Sequence, residues 1–434
     1  MNFRLLLLLL FLFCSSCAVF KSKTASIDKI FNEAETFKHG FSGFVVYNPA
    51  TQQTLYSKNA HKYFIPASNT KLITFYASLK ILGDSIPSIT YKENKDYLIF
   101  SGTGDPSLLY KDFNSNRVID FLKNSTKKLV LKPKYVTTKR FGSGWAWDDY
   151  NDDYSAERSA FPIYGNRVSF QLKKEAKLPI IYPNIFSDST VVSTEINQPI
   201  LRKEKQNIFQ YKNVVENYQK EIPFITSEKT TATLLSDTLR KEVLNYDDIF
   251  ENKNPIELTD TIYSVAATSL YKTMLQESDN FIAEQLLMLC ADKLNKNYNS
   301  KAAINTIKKM LFTYFSDPFY WYDGSGLSRY NLCTPQSLVD LITEIVNEIG
   351  TDNFKKVLPA GGESGSLKNY YIADKPYIYA KTGSLRNNHS LSGLLLTKSG
   401  KTLYFSFMNS NYTISSSQLK QTMEEILKTV RDQY

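Results

Sequence analysis

Histidine and cysteine are scarce in this chain, and their scarcity removes several chemistries at once. Only His39, His61 and His389 occur in 434 residues. There is no HExxH, so the helix-borne signature of a zinc peptidase is absent. A Ser-His-Asp or Cys-His enzyme would have to draw its base from those three imidazoles. The four cysteines stand at 14, 17, 290 and 333. If the first two leave with, or mark the end of, a leader, Cys290 and Cys333 make no disulfide framework and have no metal-ligand spacing. Cys290 follows Leu286-Leu287-Met288-Leu289, where a buried structural role is expected. Nucleotide signatures fail as well. Gly102 and Gly104 lack the third glycine of a dinucleotide fingerprint, and Gly400-Lys401-Thr402 lacks the upstream glycine of a phosphate loop. No G-x-S-x-G elbow is present.

Long apolar runs are missing too, with one exception. Arg4 precedes the run Leu5 to Phe13, and Cys14-Ser15-Ser16-Cys17 follows it. The run is short of the about 20 residues that span a bilayer, and its basic start and small-residue end read as a signal peptide over residues 1–17. Ser15-Ser16-Cys17 resembles a bacterial lipobox with Cys17 as the lipidated residue, although Cys14 stands where Leu is more usual. The implied location is the periplasm or cell envelope, with the chain held to the membrane by an N-terminal lipid anchor. The net charge of +9 suits proximity to anionic polymers. No basic run is interleaved with aromatics, so the excess reads as spread over the surface and no nucleic-acid partner is expected.

Hydrophobic residues at 42% and aromatics at 14% supply ample core, and this length favours more than one domain. Ser42 to Tyr56 reads as a hairpin turning at Asn48-Pro49. Leu72, Phe75, Tyr76, Leu79 and Leu82 share one helical face, and Gly83 ends that helix. From 85 to 250, short β-branched and aromatic runs alternate with turn residues and predict a β-rich insertion. Helices are expected over Ser264 to Leu294, Ala302 to Phe315 and Pro335 to Ile349, the last opened by Thr334-Pro335. Two strands, Leu391 to Leu396 and Thr402 to Met408, precede a closing helix striped by Leu419, Met423, Ile426, Leu427 and Val430.

Three short motifs carry the chemistry: Ser68-Asn69-Thr70-Lys71, Ser278-Asp279-Asn280 and Lys381-Thr382-Gly383. Each is weak alone, since SxxK also occurs at Ser26, Ser125, Ser269 and Ser417, and Ser68 could be a mere N-cap. Context separates it. Ser68 opens a helix after Pro66, and Lys71 lies one turn on, on the same face. A serine hydroxyl needs a neighbouring base. A lysine can act as one when desolvation or a nearby cation lowers its pKa, and Lys381 is the candidate cation. Lys71 is then expected neutral and Lys381 charged.

In this order the motifs match the SxxK, SxN and KTG set of penicillin-binding proteins and serine β-lactamases. The chain resembles the low-molecular-mass penicillin-binding proteins that act as D-Ala-D-Ala carboxypeptidases and endopeptidases, the class with a large insert after the nucleophile helix. Further stretches carry the likeness: Ser101 to Pro106, Gly144-Trp145-Ala146-Trp147-Asp148-Asp149, Tyr164 to Val168, Glu277 to Glu284, Asp323 to Ser328 and Leu358 to Gly362. Roughly two hundred residues separate Ser68 from Ser278, far more than a β-lactamase needs.

The resemblance implies an α/β core, an antiparallel sheet flanked by helices. That catalytic domain would be discontinuous, over 26–84 and 251–434, with a β-rich insert at 85–250. It implies Ser68 as nucleophile, Lys71 as base and Ser278 on the proton path. Asn280 would bind a substrate amide, while Lys381, Thr382 and Ser384 would bind a terminal carboxylate. The Ser68 and Ser384 N–H groups would form an oxyanion hole. No metal or organic cofactor is implied. The partners would be peptidoglycan stem peptides, with β-lactam antibiotics as covalent inhibitors. Two departures bear on substrate choice: Leu385-Arg386-Asn387-Asn388-His389 is unusually polar, and Lys368 and Tyr370 stand where arginine is commoner. A serine β-lactamase or esterase, or a non-catalytic peptidoglycan-binding envelope protein, are the rival readings.

Overall fold

The computed structural model describes residues 24–174, 176, 178–250 and 256–434; the expected leader and Cys17 lie outside them. A five-stranded antiparallel sheet frames the molecule. Its spatial order is Ile378–Leu385, Asn388–Leu396, Thr402–Ser410, Phe41–Asn48, Gln53–Lys58. Phe41 lies opposite Ser410 and Tyr47 opposite Tyr404, so the two ends of the chain close one sheet.

Side chains alternate between two cores, as the period of a strand requires. Phe44, Val46, Phe405 and Phe407 pack with the closing helix Ser416–Gln433, whose five expected apolar residues are all buried. Val45, Tyr404 and Met408 face the opposite way, into a layer of helices. That layer includes Thr70–Leu82, Ala267–Gln276, Asn280–Lys293 and Pro335–Ile349. The last begins as expected, with a Thr334 capping box and a proline in its first turn.

Two expected helices end differently. The stretch 264–294 is a strand to Ala266, then two helices broken around Ser278, which adopts φ 58. The helix expected over 302–315 is Ser300–Leu311, started two residues earlier by the Asn299 side chain, which accepts from Ala302 N.

The insert opens on the strand Ser85–Glu93 and has its own core, built on Ile89, Phe100, Phe170, Phe209 and Leu235. It contains a mixed five-stranded sheet and two three-stranded sheets. It also contains the helices Arg117–Asn124 and Glu228–Leu239 and the short helix Tyr246–Phe250, in a stretch that local composition reads as β-rich. The second holds four threonines yet buries Leu234, Leu235 and Leu239; packing overrides propensity there. The strand Asp260–Ala266 pairs antiparallel with Ser85–Glu93, Ile262 opposite Ile89. The insert's sheet therefore reaches past residue 250, because the exit strand returns beside the entry strand to the same helical layer.

Candidate active site

Ser68 sits in a 3-10 turn, Ala67–Asn69, that leads into the helix Thr70–Leu82. Backbone presses on this turn from two sides. A Cβ on Gly383 would lie 2.5 Å from the Pro66 carbonyl oxygen, and one on Gly326 only 1.9 Å from that of Ala67. Gly326 also adopts φ 85, which a side chain disfavours. The strand carrying Lys381 and the loop from Asp323 thus bracket the serine.

Lys71 is wholly buried. Its Nζ donates to Ser68 Oγ at 3.0 Å, to Asn280 Oδ1 at 2.6 Å and to the Ser325 carbonyl at 2.7 Å. Three acceptors match the three hydrogens of an ammonium. A neutral amine keeps two hydrogens and one lone pair, and can turn that lone pair on the serine hydroxyl. Burial pushes the Lys71 pKa down to about 8, while the charges of Asp279, Asp323 and Glu284 pull the other way.

Lys381 Nζ donates to Ser278 Oγ at 2.8 Å and to the Thr382 carbonyl at 2.8 Å. Burial, and next the charge of Lys71, push its pKa well below the ordinary lysine value, opposed by Glu277. The lowering expected of Lys71 alone is thus shared by Lys381. Both are shifted down, because both are buried and Lys381 has the weaker carboxylate support.

The second motif occupies the break between two helices. Asp279 caps the helix Asn280–Lys293 by accepting from Ile282 N at 2.8 Å. Its other oxygen accepts from the Tyr110 hydroxyl and from Arg167 at 3.3 Å, both from the insert. Burial would raise its pKa, but Arg167 and these hydrogen bonds hold the carboxyl below its usual range. Asn280 spends Oδ1 on Lys71 and one Nδ2 hydrogen on the Tyr154 carbonyl at 3.1 Å. Nδ2 carries a second hydrogen for a ligand.

On the third motif, Thr382 Oγ1 lies 2.7 Å from Ser366 Oγ, and Ser384 Oγ lies 2.8 Å from His389 Nδ1. Ser68, Asn280 and Ser384 open onto one cavity of about 380 Å³, walled also by Tyr154, Arg329 and Arg386. A larger groove of about 620 Å³ lies in the insert and holds no motif residue. The smaller cavity carries the reactive groups.

Several contributors escape the motifs. Asp323 is the hub of its loop, accepting from Gly326 N at 2.9 Å, Ser328 N at 2.6 Å, Asn331 Nδ2 at 2.6 Å and the insert's Trp145 Nε1 at 2.8 Å. The loop is thus both structural and a cleft wall. Its neighbour Ser325 presents the carbonyl that Lys71 uses, and the quoted Asp323 to Ser328 stretch was the signal. Tyr154, Arg329 and His389 had no signal beyond the polarity noted around Arg386. Cys290 and Cys333 are free and buried, and burial lifts the Cys290 thiol to about 12. Among the described residues no group of three or more His, Cys, Asp or Glu could hold a metal ion, and no helix is long and apolar enough to cross a membrane.

Comparison with known proteins places this site in a family. The profile of the D-Ala-D-Ala carboxypeptidase 3 (S13) family matches residues 23–433. The D-alanyl-D-alanine carboxypeptidase DacB of Haemophilus influenzae is 22% identical over 432 residues, covering 90% of each chain. The D-alanyl-D-alanine carboxypeptidase of Actinomadura sp. is 24% identical over 425 residues, covering 86% of this chain and 78% of its own. Among solved structures, penicillin binding protein 4 of Haemophilus influenzae superposes with a TM-score of 0.75 at 21% identity, over 94% of this chain and 99% of its own. The chain belongs to the D-Ala-D-Ala carboxypeptidase 3 (S13) family and is a serine-type peptidase of the penicillin-binding class.

Proposed function

We propose that Ser68 is the nucleophile that attacks the penultimate D-Ala carbonyl of a peptidoglycan stem peptide. The observation that carries this is the buried Lys71 amine 3.0 Å from Ser68 Oγ. Lys71 takes the hydroxyl proton as Oγ bonds to the carbonyl carbon. The N–H groups of Ser68 and Ser384 receive the developing oxyanion, where fixed donors act most strongly. Ser278, bonded to Lys381, gives its hydroxyl proton to the departing amine and takes back the proton that Lys71 accepted, as the C–N bond breaks to release D-Ala. Water then hydrolyses the Ser68 ester.

Asn280 holds the substrate amide with its second Nδ2 hydrogen, and Lys381, Thr382 and Ser384 hold the terminal carboxylate. That carboxylate supplies Lys381 with the counter-charge it lacks. Where the leaving amine belongs to another stem, the same steps make an endopeptidase. Solved relatives of similar fold include a predatory peptidoglycan endopeptidase of Bdellovibrio bacteriovorus, with a TM-score of 0.52 at 15% identity.

β-Lactams acylate the same serine in this reading; the Haemophilus influenzae protein has also been solved with a β-lactam. A lipid on Cys17 anchors the chain to the membrane and faces it toward the periplasm. The catalytic unit combines residues 26–84 with the chain beyond the insert, whose sheet ends at Ala266. Intact-mass analysis after incubation with penicillin tests the assignment. The wild type gains one acyl group and Ser68→Ala gains none while keeping its circular dichroism. A label on the variant that maps to another serine overturns it.

A further inference from the structure

We infer that His389 is a positioning residue. Its Nδ1–H donates to Ser384 Oγ and so turns the serine's own O–H toward the carboxylate of the substrate. This rests on the reading of Ser384 as a carboxylate ligand.

His389 lies outside the three motifs, directly across the hairpin from Ser384 in the strand pairing. Its side chain is buried at 2% exposure, while Ser384 is exposed to the cleft. The Nδ1 to Oγ distance of 2.8 Å fits a hydrogen bond in either direction. The directions have opposite consequences. If Ser384 donates to the ring, its only proton points away from the cleft, and lone pairs face an arriving carboxylate. If Nδ1 donates, Oγ is satisfied as an acceptor and its proton is free to bind the anion.

The surroundings select the second arrangement. A small cavity is lined by His389, Lys420 and Tyr370, with Ser366 and Thr382 paired to each other. No carboxylate lines it, and Nε2 has no hydrogen-bond partner among the described residues. The positive charges of Lys420 and Lys381 both bear on the ring. An Nε2–H there would set a positively polarised hydrogen among cations, whereas an Nε2 lone pair is favoured by them. The proton therefore belongs on Nδ1. Burial, and then those two cations, hold the ring's pKa down to about 3, so a second proton does not blur the tautomer near neutrality.

The chain has three histidines, which makes 15N-histidine NMR tractable, with His389 assigned by the signals lost in His389→Leu. The expected spectrum is that of the Nδ1-protonated tautomer; an Nε2-protonated ring overturns the inference. Kinetics give an independent reading through the kcat/KM ratio for a D-Ala-D-Ala peptide over the same peptide ending in a carboxamide. His389→Leu is expected to lower that ratio about tenfold through KM, the worth of one hydrogen bond to a charged group. His389→Asn, whose amide N–H falls near the Nδ1 position, restores it, and His389→Gln does not. Equal losses on both peptides with a lowered Tm mark a packing role and sink the proposal. Ser384→Ala separates the two layers. If it leaves the ratio unchanged, Ser384 is no carboxylate ligand. If it lowers the ratio and His389→Leu does not, only the positioning role fails.

Discussion

Arg158 of the insert and Glu284 of the helix Asn280–Lys293 form an ion pair at 3.1 Å, with side chains only 4% and 1% exposed. The other oxygen of Glu284 accepts from Ser325 N at 2.8 Å and Ser325 Oγ at 2.7 Å. The Ser325 carbonyl is in turn an acceptor for Lys71. An insert residue thus stands a few contacts from the base. Gln285 beside it donates to the carbonyls of Gly104 and Ser159, so the insert grips this helix along its first turns.

Arg158→Leu is expected to cost about 3–5 kcal/mol, because it strands a buried carboxylate without its partner. Urea denaturation measures the loss, and Glu284→Gln added to the same chain should recover part of it. Acylation by penicillin should slow in the single variant as the Ser325 carbonyl drifts. Unchanged stability and unchanged acylation would mean the pair is a bystander.

The lysine environment sets the pH dependence. With the Lys71 pKa near 8, the acylation rate should rise through about pH 8 as the base loses its proton. Stability should move the same way. The unfolded chain holds the Lys71 proton up to about 10.5, whereas the folded chain releases it from about 8. The unfolded state therefore binds more protons between those values, and stability increases with pH across that window. Lys381 adds a slope of the same sign. Chemical denaturation at several pH values should find a shallower slope in Lys71→Met than in the wild type. An equal slope would place the shift elsewhere.

Gly383→Ala tests the contact between the motif strand and the nucleophile turn. The new methyl meets the Pro66 carbonyl oxygen and the Asn69 N, neither of which is a flexible side chain. Either the strand or the turn must shift, and displacements of this order in a reacting centre cost about a hundredfold. The acylation rate should fall by that much with the fold retained. An unaffected rate would show that strand and turn are less tightly coupled than these distances require.

Membrane attachment is tested by Cys17→Ser. Release of soluble protein, or an uncleaved precursor, is the expected outcome of fractionation and mass analysis. Processing and membrane retention like those of the wild type would count against lipidation.

Much of the site was legible because its chemistry is concentrated in short motifs whose neighbours are local. Ser68 and Lys71 share a helix face, and Lys381 to Ser384 lie along one strand. The sheet and the helix caps were readable for the same reason: alternation, a Thr-Pro start and an apolar stripe are local signals. What local signals could not carry was partnership across distance. His389 had no motif, and its value depends on lying opposite Ser384. Arg158 carries no local signal, and its partner Glu284 lies over a hundred residues away in sequence. That burial bears on Lys381 as well as on Lys71 was not legible, because burial is a tertiary quantity. The boundary at 250 fell short because a strand's sheet is chosen by its partner, here Ser85–Glu93, rather than by its own residues.

The frame of the enzyme is closed by its last-made strands. The nucleophile turn emerges early from the ribosome, yet the strand that presses on Pro66 and the strand that pairs with Phe41–Asn48 are the last to appear. The insert, with its own core, can condense while the first hairpin still lacks its neighbour at Thr402–Ser410. Contacts of such separation are slow to form, and the hairpin's apolar edge stays unpaired meanwhile. A fragment that stops before Ile378–Leu385 lacks Lys381, Thr382 and Ser384. In the proposed reading, the site is complete only once those strands have been made and the domain has folded as a unit.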